Sequence, residues 1–286
     1  MSPPRIGILH PGEMGISIAA AAQHCGHQVH WASAGRSTQT RDRATKHGLV
    51  DLHTVEKLCA ECALLISVCP PHSAETVAHQ VLDAGFAGLY LDANAISPQR
   101  AGQIGQALTA ARIGFVDGGI IGGPAWEPGR TWLYLSGPRA QEVAQCFAAG
   151  PLATCVLGAE PGKASALKMC FAAYTKGATA LLAAILATAE HLGVREALFQ
   201  QWDRDQAGAA QQHTQRVRQV TAKAWRFAGE MEEIAATFAG AGLPGEFHAG
   251  AADLYRRMAS FKDAGAIPSL EEVLAALLRS EGGAGG

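Results

Sequence analysis

Arg5-Ile-Gly-Ile-Leu-His-Pro-Gly-Glu-Met-Gly15, followed by Ile16-Ser-Ile-Ala-Ala-Ala-Ala22, is the stretch that decides the fold. It reads as a short buried strand, a glycine-rich turn and a helix that begins as soon as the turn ends. The first amides of such a helix and the positive end of its dipole favour an anion over the turn, and glycine lets backbone approach that anion closely. The dinucleotide fingerprint for this geometry is Gly-x-Gly-x-x-Gly, and the chain supplies His10-x-Gly12-x-x-Gly15, with histidine in place of the first glycine. His10, Pro11, Gly12, Glu13, Met14 and Gly15 are therefore the candidate wrapping of a pyrophosphate.

The bulk properties narrow the partner. With 286 residues, 48% of them hydrophobic, the chain has material for two domains with cores of their own. A net charge of -2 with scattered Lys and Arg leaves no footprint for nucleic acid or an anionic membrane surface, which points to a small molecule. No run approaches the roughly 18 uninterrupted apolar residues of a membrane span, and Met1-Ser-Pro-Pro-Arg5 does not resemble a signal peptide, so the expected setting is cytoplasmic, without a membrane partner. The seven cysteines lie mostly in apolar surroundings; Cys59-x-x-Cys62 has no second pair to complete a metal site, and no metal is expected.

Strand and helix patterns then alternate. Gln28-Val-His-Trp-Ala32 reads as the second strand, at whose end a carboxylate would hold a free ribose 2′-hydroxyl and small polar or basic residues would admit a 2′-phosphate. Ser33, Arg36 and Ser37 stand there with Arg41 and Arg43 behind them, so NADP(H) is favoured over NAD(H). Ala63-Leu-Leu-Ile-Ser-Val-Cys69 has the continuous apolar character of a parallel strand buried on both faces, and it ends at Pro70-Pro71. Gly88-Leu-Tyr-Leu-Asp92 is another strand, ending in the loop Ala93-Asn94. Carboxyl-end loops of a doubly wound sheet converge on the ligand, which makes Cys69, Pro70, Pro71, His72 and Asn94 candidates for the nicotinamide half. Strands are expected at 115–117 and 131–135 with Gly118-Gly-Ile-Ile-Gly-Gly-Pro124 as a loop between them, and the first domain closes with a helix at 140–149 and a strand at 154–157.

From 162 to 192 the chain lacks proline and is dominated by Ala and Leu, the signature of one long, largely buried helix. Beyond it the pattern is helical, over 200–227, 230–239, 245–261 and 270–279. The fold class is accordingly α/β: an N-terminal Rossmann domain with a doubly wound parallel sheet over 1–160, a long interdomain helix leading into an all-α domain over 161–280, and a disordered tail at 281–286. Lys168 lies on the long helix among Ala164, Leu167, Met169, Cys170, Phe171 and Ala172. A lysine in such company snorkels or has a task, and a constant helical pitch puts Ala172 and Thr175 on its stripe, with Phe171 beside it.

Four segments in this order resemble the β-hydroxyacid dehydrogenase superfamily, which includes 3-hydroxyisobutyrate and 6-phosphogluconate dehydrogenases. Gly7-Ile-Leu-His-Pro-Gly-Glu-Met-Gly15 is similar to the family's Gly-x-x-Gly-x-Gly-x-Met-Gly except at His10, and Asp92-Ala-Asn-Ala-Ile-Ser-Pro98 to its Asp-x-Ser-Thr-x-x-Pro loop. Asp117-Gly-Gly-Ile-Ile-Gly-Gly123 is similar to the substrate segment Asp-Ala-Pro-Val-Ser-Gly-Gly, and Gly162-x-Ala164-x-x-x-Lys168 to Gly-x-Gly-x-x-x-Lys. The resemblance covers about the first 190 residues. It implies an NAD(P)-dependent oxidoreductase with Lys168 catalytic, substrate held near Asn94, Ile121, Gly122, Gly123 and Thr175, and a homodimer built on the helical domains. The family's substrate serine falls on Ile121, its asparagine beyond the lysine on Ala172, and its arginine after the second strand on Ala34. Phe171, Ala172, Trp225, Met231 and, more weakly, His248 would then line a pocket more apolar than that of a hydroxy-acid enzyme. The part beyond 190 resembles the small helical domain of an uncharacterised branch of phosphogluconate-dehydrogenase-like proteins. The expected reaction is NADPH-dependent carbonyl reduction or its reverse, with Lys168 as general acid and, in the oxidative direction, as a base whose pKa apolar surroundings lower. An imine or ketimine reductase of the same fold and a silent NADP-binding sensor are the alternatives.

Overall fold

The computed structural model describes residues 4–279; the expected tail at 281–286 lies outside them. The chain divides into two compact units, Met1–Met169 and Cys170–Gly286, which part inside the long helix rather than before it at 160.

The first unit is built on one eight-stranded sheet in the order β3-β2-β1-β4-β5-β6-β7-β8. Its strands are β1 (Ile6–Ile8), β2 (Val29–Trp31), β3 (Val50–Asp51), β4 (Leu64–Ser67), β5 (Leu89–Asp92), β6 (Gly114–Gly122), β7 (Thr131–Ser136) and β8 (Ala153–Val156). Every pairing is parallel except β6 with β7, so the six strands β3 to β6 form a doubly wound Rossmann sheet whose order reverses between β1 and β4. Its helices are α1 (Glu13–His24), α2 (Thr38–Lys46), α3 (Val55–Glu61), α4 (Ala74–Asp83), α5 (Pro98–Ala110) and α6 (Ala140–Gln145). They cover two cores on opposite faces of the sheet. Ile6, Ile8, Ile66 and Leu91 belong to one, Leu65, Tyr90, Leu58 and Val81 to the other, so alternate side chains of β4 and β5 point to opposite layers. This two-sided burial is why those strands read as unbroken apolar runs.

In this unit two features stand out against the sequence expectation. The two-residue strand β3 is too short and too exposed to leave a pattern. More instructively, the glycine segment is strand rather than loop from 118 to 122: β6 continues to Gly122 and pairs antiparallel with β7 from Asp117↔Ser136 to Gly122↔Thr131. Glycines read as breakers by local propensity, but here neighbouring elements press against the strand and leave no room for side chains.

Residues Lys163–His191 form a single helix of 29 residues in three parts: α7 (Lys163–Ala172), a π-helical turn Ala173–Gly177, and α8 (Ala178–His191). By length and composition alone it also satisfies the requirement for a membrane-crossing helix.

The second unit is entirely helical within its described residues, continuing with α9 (Arg195–Asp205), α10 (Ala209–Gln219), α11 (Thr221–Gly240), α12 (Glu246–Arg257) and α13 (Leu270–Leu278). The run expected at 200–227 is interrupted before α10 and again at Val220, whereas α11 passes through Gly229 unbroken. α11 packs along α12 and α13 along α8 over Met231, Ile234, Tyr255, Val273 and Leu274, all almost completely buried. The carbonyls of the π turn find side-chain donors: Arg216 Nη2 and Thr179 Oγ1 donate to Thr175 O at 2.9 and 2.8 Å, and Tyr255 Oη to Lys176 O at 2.8 Å. Lys176 pairs with Glu230 and lies 4.4 Å from the Phe227 ring centroid.

Candidate functional site

The glycine turn joins β1 to α1, with Gly12 as N-cap in extended conformation and Ile16 N–H donating to Gly12 O at 2.8 Å. Its two glycines do different work. A Cβ on Gly15 would sit 2.1 Å from His10 O, so the turn can close only around glycine there. A Cβ on Gly12 would meet nothing within 4 Å, so that position leaves open space at the helix start. His10 takes the place of the fingerprint's first glycine without a positive φ. Its ring lines an open cleft of about 780 Å³ together with Ala34, Gly35, Arg36, Thr54, His72, Thr76 and Gln80. Burial, and then the Arg36 charge beside it, lower the His10 pKa to about 4, so the ring is neutral at pH 7.

Arg36 and Arg43 brace this turn. Arg36 Nη2 donates to Leu9 O at 3.1 Å and Arg43 Nη1 to Pro11 O at 3.3 Å. His10 Nδ1 and Arg36 Nε are buried and have no hydrogen-bond partner among the described residues. Ser33 is buried at the end of β2, and Ser37 caps α2 by accepting from Thr40 N–H at 3.3 Å. Asp51 brings to this end a carboxylate that a reading of β2 alone could not supply. Its Oδ1 accepts from Ser33 N–H at 3.2 Å and His53 N–H at 2.8 Å, and the His53 ring is 3.4 Å from Ser33 Oγ.

At the other end, Asn94 is 2% exposed and its amide is engaged within the protein: Oδ1 accepts from Cys69 N–H at 2.6 Å and Nδ2 donates to Ser67 Oγ at 3.1 Å. Asn94 thus ties the β4 and β5 loops together rather than presenting a free amide. Cys69 is half-buried, its thiol pushed up to about 12 mainly by burial, while Pro70 is exposed and Pro71 opens the single-turn helix that leads to α4. Beneath Asn94, Asp92 is 1% exposed and its pKa rises to about 7, chiefly through burial. Cys59 and Cys62 are buried thiols raised to about 11 and about 12, again by burial first, which suits packing rather than ligation. Among the described residues no cluster could hold a metal ion.

Lys168 stands on α7 directly over β6, with its Cβ only 3.1 Å from where a Cβ of Gly119 would lie. Ile121 is half-buried, and Gly122 and Gly123 are exposed at the end of β6. In the second unit Phe171 and Trp225 are 45% and 42% exposed, the latter under Lys262 Nζ at 4.3 Å. Other candidates there are core residues. Ala172 and Met231 are 1% and 0% exposed, and buried His248 packs against Phe238 and Phe247 with ring centroids 4.3 and 5.0 Å away. Thr175 lies inside the π turn, so the constant pitch behind a Lys168–Ala172–Thr175 stripe does not hold past Ala172.

The profile of the NAD-binding domain of 6-phosphogluconate dehydrogenase matches residues 5–178. The chain belongs to that family. It is a family of NAD(P)-dependent oxidoreductases, and the open Gly12, the cleft and the helix start fit such a dinucleotide. A second profile, described as a domain of unknown function, matches residues 189–258, as expected of an uncharacterised branch. Among solved structures, the conserved protein MTH1747, described as similar to 3-hydroxyacid dehydrogenases, shares 28% identity at a TM-score of 0.67, over 89% of this chain and 97% of its own. Mycobacterium tuberculosis 3-hydroxyisobutyrate dehydrogenase has the same fold at 20% identity and TM-score 0.69, over 96% and 99% of the two chains. So does an Aspergillus terreus reductive aminase solved with NADPH, at 18% identity and TM-score 0.55 over 95% and 98%.

Proposed function

We propose that the chain is an NADPH-dependent oxidoreductase that moves hydride between nicotinamide and the carbonyl or alcohol carbon of a small molecule, with Lys168 as general acid and base. The observation that carries this reading is the pairing, within one unit, of an anion-ready glycine turn with a helix residue, Lys168, held against β6. Hydride transfer is the chemistry a bound nicotinamide supplies. The chain's own contribution begins with Gly12, whose open surroundings and helix amides suit a pyrophosphate, and with the neutral His10 on the cleft wall. Arg36 and Ser37, next to the α2 N-terminus, support the choice of a 2′-phosphate, since Asp51 has engaged one oxygen with the amides of Ser33 and His53. Lys168 then delivers a proton to the developing alkoxide, or withdraws it in the oxidative direction.

Ala172, in place of the family's asparagine, favours a second reading in which the substrate is an imine or ketimine. A silent NADP sensor is a third. Fluorescence titration with NADPH and NADH, followed by a panel of carbonyls and imines, separates the three; tight binding without turnover of any substrate supports the sensor. On the true substrate Lys168→Ala should lower turnover by ~10²-fold or more, and turnover retained within about tenfold removes the lysine from the mechanism. The reading includes a cytoplasmic homodimer, for which light scattering should return twice the chain mass.

A further inference from the structure

Asp117 is completely buried in the middle of the sheet, paired in register with Asp92 on β5 and Ser136 on β7. A carboxylate in such a place is costly unless its lone pairs are filled. Its Oδ2 accepts from Ser136 Oγ at 2.8 Å and from three backbone N–H groups, those of Gly162 at 2.9 Å and of Ala164 and Ser165 at 3.0 Å each. Its Oδ1 accepts from Ser165 Oγ. The three amides belong to the start of α7, so Asp117 performs from a distant strand the task of a helix N-cap, where donors are otherwise orphaned and negative charge is favourable. Gly162 has φ +98 and no side chain with which to cap the helix itself.

Two residues further along β6, Gly119 completes the seat. A Cβ there would lie 2.5 Å from Ala164 O and 3.1 Å from Lys168 Cβ, so α7 rests directly on the strand. Ala164 and Lys168 are four apart and share the face turned to it. Capping at Ala164 and Ser165 fixes the rotation and height of the helix, and with them the root of the Lys168 side chain.

We propose that Asp117 is a positioning residue for Lys168, acting through the first turn of α7. This rests on the reading of Lys168 as the proton-transfer group. An amide can accept some of these bonds but brings donors of its own against the helix amides, so Asp117→Asn should let α7 shift on β6. Small misplacement of a proton-transfer group is expensive: ~10- to 100-fold in kcat is expected, with substrate KM and NADPH affinity changed by less than about threefold.

The test measures kcat, KM, the pH–rate profile and NADPH binding for Asp117→Asn, Ser165→Ala, Lys168→Ala and the Asp117→Asn/Lys168→Ala double variant. It also follows the resonance of ¹³C-methylated Lys168 by NMR. The expected pattern is lowered kcat and a displaced lysine limb in Asp117→Asn, a smaller change of the same kind in Ser165→Ala, a moved Lys168 resonance, and no further loss in the double variant beyond Lys168→Ala. If Lys168→Ala is slow but the Asp117→Asn pH profile and Lys168 resonance match wild type, the positioning role is overturned and the Lys168 reading survives. If Lys168→Ala retains its rate, both fall. Should Asp117→Asn not fold, Ser165→Ala decides, and an unchanged profile and resonance there overturns the proposal.

Discussion

The chain has two glycine-rich segments that look alike as sequence, His10–Gly15 and Gly118–Gly123, and they are opposite kinds of structure. In the first, glycine leaves a place empty: nothing lies within 4 Å of a Cβ on Gly12, at the start of a helix whose amides face outward. In the second, the protein fills the place as far as Gly122, with Leu91 and the Asp92 carbonyl against Gly118, and Ala164 and Lys168 against Gly119, and only Gly123 beyond the strand end is open. Gly122, at φ +121, would put a Cβ 2.3 Å from Arg130 O. One segment leaves open space at a helix start, and the other makes room for the helix that carries Lys168.

Three glycine substitutions press on that contrast, and a fourth, at Asp92, probes the buried strand beside Gly118. Gly15→Ala places a methyl group 2.1 Å from a backbone oxygen that cannot step aside, so the β1–α1 turn should open at a cost of about 3 kcal/mol or more, read by denaturant unfolding. A variant as stable as wild type would show that the turn is not closed as described. Asp92→Asn comes next. Because burial raises the folded-state pKa of Asp92 to about 7 from 3.8, its contribution is fully present below about pH 4 and is lost as pH rises through 7. At about 1.4 kcal/mol per pKa unit, wild-type stability should fall by up to roughly 4 kcal/mol across that window relative to Asp92→Asn, and parallel pH-stability curves would contradict it.

Gly119→Ala presses on α7 instead of on a turn. A loss of about 1–3 kcal/mol is expected, with lowered kcat and NADPH affinity near wild type, since the crowded atoms belong to Ala164 and Lys168. Loss of cofactor affinity with kcat unchanged would reverse the assignment of the two segments. Gly12→Ala should show the smallest effect on stability, within about 1 kcal/mol, yet weaken NADPH several-fold by filling the space a pyrophosphate needs. Unchanged affinity in a titration would remove the turn from the cofactor site.

What could be read from the chain follows from local physics. The β1 run, the alternation of strand and helix, and the Ala- and Leu-rich helix are periodic signals carried by neighbours in sequence, and they were enough to specify a Rossmann sheet followed by helices. The residues proposed for the site are those where chemistry and spacing coincide in the sequence, Gly12, Gly15 and Lys168, and the structure places Gly12 at an open helix start and Lys168 over β6. The site was less legible where a residue's task depends on who is buried beside it. Met231 and His248 carry types suited to a pocket, yet helix packing encloses both, and Asn94 carries a polar amide that two adjoining loops consume.

By itself, then, the sequence determined the class of fold, the alternation of strand and helix in its first unit and the strand–turn–helix at its start, because backbone preference and hydrophobic period act over a few residues. Only the tertiary structure decided that Gly118 and Gly119 are strand, that Asp51 on β3 reaches the end of β2, and that Asp117 caps a helix 45 residues further along. Those outcomes depend on pairings across the sheet, whose hydrogen bonds and close approaches no local pattern encodes.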